Sequence, residues 1–115
     1  MAKSRWHILW DAQGVTLARR LPVRFDICVE ITLPKARKLY LAQQIRQDLW
    51  RRLKNLRGFA PVVRVVKCEH GLLVSAGGQV QGAIPRQRVE DDIRALLSDG
   101  RLQFRWLNQA RLRLQ

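Results

Sequence analysis

Acidic residues are scarce in this chain: 9 Asp and Glu stand against 22 Lys and Arg, for a formal charge of +13 over 115 residues. The charged total is an ordinary 27%, so the imbalance lies in the sign and not in the amount of charge. A basic surplus of this size is the electrostatic footprint of a partner of phosphate polyanions, and it also suits acidic membranes or an acidic protein.

Cysteine is nearly absent as well. Cys28 and Cys68 are the only two, and with no export signal they are expected as free thiols and not as a disulfide framework. No apolar run approaches the roughly eighteen residues of a membrane span. The N-terminal "MAKSRWHILWDAQG" offers too short an apolar stretch for a signal-peptide core. A soluble, cytoplasmic protein is expected, with residues 1–115 as one basic globular domain, since two domains from this length would each be marginal.

Metal and catalytic signatures are missing too. Cys68 and His70 form a C-x-H, and Cys28 and His7 bring the ligand count to what one zinc needs, but no C-x2-C or H-x3-H spacing supports a site. Strand parity sets Cys28 between Asp26 and Glu30, a poor setting for a thiolate nucleophile. His70 lies in the turn "EHG". The acidic run Glu90–Asp92 falls in the first turns of an expected helix, where carboxylates complement the macrodipole. "AGGQVQG" lacks the Lys-Ser/Thr of a phosphate-binding loop and the spacing of a dinucleotide fingerprint, and reads as a strand-to-helix turn. The expectation is therefore a non-enzymatic protein with no metal, no cofactor and no identifiable small-molecule substrate.

Hydrophobic patterning is abundant. "RWHILWD" alternates Trp6, Ile8 and Trp10 with His7 and Leu9, and "VTLARR" follows after the turn "DAQG", which together predict a hairpin. "FDICVEITL" has Phe25, Ile27, Val29, Ile31 and Leu33 on one side and Asp26, Cys28, Glu30 and Thr32 on the other. Pro34 is expected to end that strand and open a helix over residues 35–57, with Ala42, Ile45, Leu49, Leu53 and Leu56 as its apolar stripe and Gly58 and Pro61 as its stop. "VVRVVKC" and "LLVSA" predict a second hairpin with Gly71 at a positive φ. "PRQRVEDDIRALLSDG" predicts a helix that buries Val89, Ile93, Leu96 and Leu97, and "RLQFRWLNQARLRL" a short one anchored by Leu102, Trp106, Leu107 and Ala110. The fold class is α+β: an antiparallel sheet of about five strands, in the order ββ-β-α-ββ-α-α, covered on one face by helices.

More than half of the surplus, +7, lies on residues 35–57, where Asp48 is the single acid. Opposite the apolar stripe, Arg37, Tyr40, Gln44, Gln47, Arg51 and Lys54 recur at spacings of three and four and form one ridge. A face serving only solubility mixes signs through Glu-Lys pairs, and this one does not. The ridge is about 25 Å long at 1.5 Å per residue, enough to meet several phosphates. Arginine and lysine suit phosphates, the glutamines phosphates or base edges, and Tyr40 a base face. Arg101, Arg105, Arg111 and Arg113 near the C-terminus, and Arg19, Arg20 and Arg24 in "ARRLPVR", extend the candidate surface. The expected function is a nucleic-acid-binding module, DNA or RNA, with weak sequence selectivity. The alternative is an interaction or assembly factor that docks the same basic helix on an acidic protein. An RNP-type aromatic strand and a GxxG loop are both missing.

Overall fold

The computed structural model describes residues 5–112. The elements are β1 (His7–Trp10), β2 (Gly14–Ala18), β3 (Ile27–Leu33), α1 (Lys38–Leu53), β4 (Phe59–Cys68), β5 (Gly71–Val80), α2 (Arg86–Ser98) and α3 (Gly100–Gln109). All strand pairs are antiparallel, and the five strands form one sheet in the order β1-β2-β4-β5-β3, an α+β architecture with three helices.

Side-chain alternation assigns the two faces of the sheet. Val15 and Leu17 of β2, Ile27 and Val29 of β3, Val63 and Val65 of β4, and Val74 and Ala76 of β5 point to one side. There they share a core with Leu41, Ile45 and Leu49 of α1, Ile93 and Leu97 of α2, and Trp106 of α3. Each aliphatic side chain so buried contributes about 1.5–3 kcal/mol relative to exposure. α1 lies over β2 and β4, α2 over β3, and α3 packs against both helices.

On the opposite face one register row carries Thr16, Arg64, Ser75 and Glu30 across four strands. Arg64 donates to Thr16 Oγ1 and Asp11 Oδ2, each at 2.8 Å, and Ser75 Oγ donates to Glu30 Oε2 at 3.0 Å. The polar groups of this row therefore answer one another. Asp11 also accepts from the backbone N–H groups of Gln13 and Gly14, closing the β1–β2 turn.

Several boundaries differ from expectation. α1 begins at Lys38, because Arg37 is extended (φ −75°, ψ 116°) and its N–H donates to Ala110 O of the C-terminal segment. The first turn has no side-chain cap, so no Ser, Thr, Asp or Asn marked the start. β4 and β5 run for ten residues each, longer than the apolar stretches suggested. Gly71 has no positive φ; it pairs with Cys68 within the hairpin, and a side chain there would strike the Leu33 carbonyl. Gly77 and Gly78 lie inside β5 and not in a turn: a Cβ on either would run into the backbone carbonyl of Ile27 or Ala60. α1 also ends earlier than expected, at Leu53 with Lys54 as its C-cap, so Gly58 does not stop it; the positive φ values fall at Gly58 (81°), directly before β4, and at Gly82 (77°), shortly after β5.

Candidate nucleic-acid interface

The buried positions of α1 are Leu41, Ala42, Ile45, Asp48, Leu49 and Leu53, so the opposite arc faces outward as the spacing implied. Tyr40, Gln47, Arg51 and Lys54 are exposed on that arc, and Gln44 is half-buried at its margin. Arg37 stands at the helix start. Its guanidinium stacks on the Tyr40 ring at 4.0 Å and donates to Gln109 O at 3.2 Å, so it braces the tyrosine and the end of α3.

Asp48, the lone acid of the helix, is only 9% exposed and turns away from the outer arc. Its carboxylate accepts from the Arg105 guanidinium and, at 2.6 Å, from the indole N–H of the fully buried Trp106; Arg51 Nη1 lies 3.6 Å from its other oxygen. The acid is thus used to dock α3, and the outer arc of α1 presents cations and neutral side chains only. Sequence reasoning counted Asp48 as a charge and missed its role. The available signal was its spacing from Leu41 and Ile45, which put it on the buried side.

α3 brings its own cations. Asp99 caps it, accepting from the N–H groups of Arg101 and Leu102 at 2.9 and 3.3 Å. With Trp106 and Ala110 buried, Arg101, Phe104, Arg105 and Asn108 face outward. Phe104 is 76% exposed, beside the arginine that reaches Asp48. Arg111 is exposed just past the helix, and Arg113 lies outside the described residues.

The three arginines of the 19–26 connection do not act alike. Arg19 sits over the rings of Trp50 (4.7 Å) and Trp6 (5.9 Å), which meet edge to face, and donates to Arg5 O. Arg20 donates to Gln81 Oε1 at 3.1 Å. Both line a cleft of about 220 Å³ together with Lys54, so they adjoin the C-terminal end of the α1 ridge. Arg24 pairs instead with Asp26 at 2.7 Å, beside β3 and apart from that surface.

The remaining titratable groups are spread out. His7 and Cys28 occupy opposite ends of one register row, on the two edge strands, about 19 Å apart at the usual strand spacing. Cys68 and His70 are at the β4–β5 turn. Burial, and secondarily Glu30, pushes the Cys28 thiol above its ordinary value, which keeps it protonated at neutral pH. Arg94 pairs with Glu90 and Asp91 along α2, as an exposed helix face does. Among the described residues no helix is long and apolar enough to cross a membrane. An open cleft of about 470 Å³ between the start of α1 and the β4–β5 turn holds Lys35, Lys38 and Lys67.

No family model, no curated protein and no solved structure matches this chain.

Proposed function

We propose that the outer face of α1 and α3 binds a phosphate polyanion, nucleic acid in the first place, and that this binding is the protein's task. The observation that carries the reading is the inward turn of Asp48. It leaves the exposed cations of α1, Arg51 (71% exposed), Arg52 and Lys54 among them, without an exposed carboxylate on their own helix, and the α3 arginines Arg101 and Arg105 lie on the neighbouring helix. Cations held close together without acids repel one another, and a bound polyanion relieves that repulsion while releasing its own counterions. Side chains that meet phosphates carry little sequence information, so selectivity is weak.

The test is a titration of labelled oligonucleotides across a salt series with wild type and an Arg51→Ala, Lys54→Ala, Arg101→Ala triple variant. Loss of three phosphate contacts should flatten the slope of log K against log salt by about 2 to 3 units. All three side chains are exposed, and the Arg51–Asp48 contact is long at 3.6 Å, so the unfolding temperature should fall only slightly. Absence of low-salt binding by wild type, or indifference to the triple change, sends the search to an acidic protein partner.

A further inference from the structure

We infer that the preferred ligand of this face is single-stranded nucleic acid, held by stacking of its bases on Phe104 and Tyr40; the inference rests on the polyanion reading above. The first observation concerns shape. α1 does not stand proud of the molecule: α3 packs along one flank, through Asp48, Arg105 and Trp106, and Trp6, Trp50 and Arg19 cluster on the other. Two helices side by side, with axes about 8–10 Å apart and each about 10–12 Å across, present a front of about 20 Å. A duplex major groove about 12 Å wide admits one helix and not that front. The ridge is therefore not shaped to reach base edges inside a duplex groove, and of a duplex it can meet only the backbone phosphates, whereas a flexible strand laid across the surface offers both phosphates and base faces to these side chains.

The second observation is the exposure of two aromatic rings among the cations. Phe104 is 76% exposed on the outside of α3, where burial of Trp106 and Ala110 already anchors the helix, so its ring does nothing for the core. Set between Arg101 and Arg105, the exposed ring offers a face on which a base can stack while its phosphates meet the arginines. Tyr40 is 49% exposed, and Arg37, tied to the end of α3, holds its guanidinium against one face of the ring. α3 runs opposite to α1, since Arg37 meets Gln109 and Asp48 meets Arg105. Tyr40 therefore sits beside the α3 end at Arg37, and Phe104 on α3 next to Arg105, which reaches α1 at Asp48 close to Arg51. Alternating stacking platforms and cations are what a single strand requires: every base has a π face, and every phosphate a charge.

The experiment compares oligo(dT), oligo(U), a DNA duplex of the same length and inorganic polyphosphate as a base-free polyanion, with wild type, Phe104→Ala, Tyr40→Ala and Phe104→Trp. The single strands should bind at least about tenfold more tightly than the duplex, and Phe104→Ala should lose about tenfold or more on them. Its polyphosphate affinity should stay within about twofold, and Phe104→Trp should keep single-strand binding. Tyr40→Ala should act in the same direction. Duplex binding equal to or tighter than single-strand binding overturns the inference and leaves the polyanion reading standing, as does a Phe104→Ala loss that is the same on polyphosphate. Failure of wild type to bind any of the four ligands overturns both.

Discussion

Asp48 shows how one carboxylate can organise a basic surface. A negative charge at an exposed α1 position would neutralise part of the ridge; at this buried position it joins two helices and removes itself from the outer face. Its partners are unequal in what they lose without it. Arg51 and Arg105 reach solvent, whereas the Trp106 indole N–H, fully buried, has no water to turn to. Asp48→Ala should therefore cost about 2 kcal/mol, mainly the penalty of an unmade buried hydrogen bond. Asp48→Asn, which keeps an acceptor for the indole, should cost less. Urea unfolding monitored by tryptophan fluorescence checks both; equal losses would mean that the ion pairs and not the indole bond hold α3.

Patterning made most of each element legible, while the ends and the glycines were not. Ala42, Ile45, Leu49 and Leu53 of the expected stripe and the set Val89, Ile93, Leu96 and Leu97 are buried as read, because a helix that packs on a sheet repeats its apolar side every three or four residues, whereas Leu56 falls past the end of α1 and is half-buried. The start of α1 was illegible because it depends on Ala110, far along the chain, and not on a capping residue. Gly77 and Gly78 looked like a turn because glycine usually marks one. In β5 they serve a different need, the close approach of neighbouring backbones in a long twisted hairpin. Gly77→Ala should accordingly cost about 1–3 kcal/mol, since the new methyl meets the Ile27 carbonyl and not a movable side chain. Gly82→Ala has open space around it, and its cost comes from the positive φ alone. Thermal unfolding of the two variants separates collision from backbone strain, and an unchanged Gly77→Ala would mean that β3 moves away at little cost.

At the scale of the molecule, the charge imbalance makes the few acids important. Arg64 and the Gln13 N–H hold Asp11 below its ordinary value near 3.8, and the Val80 N–H and Arg24 do the same for Asp26. A carboxylate with a depressed folded-state value contributes stability that is fully present above its unfolded value. That contribution is lost as the pH falls through the folded one. Stability should therefore be level from about pH 5 to 8 and decline below about pH 4. In the same range, protonation of the acids leaves an already positive molecule with fewer counter-charges. Unfolding temperatures across this range check the prediction, and added salt should recover part of the loss by screening. A decline that starts near neutral pH would point to other groups.

The sequence by itself determined the kinds of elements, their inward faces and the sign and concentration of charge. These follow from the period of consecutive residues and from local backbone sterics, which need no knowledge of distant partners. Only the tertiary structure decided that β3 closes the far edge of the sheet. The 19–26 connection carries the chain past the ends of β4 and β5, tied by the N–H groups of Arg19 and Asp26 to Pro61 and Gly78. It also decided which charges face outward. Asp48 finds Trp106 across 58 residues of chain, and Arg19 finds two tryptophans, because burying apolar surface brings together groups that no local pattern relates.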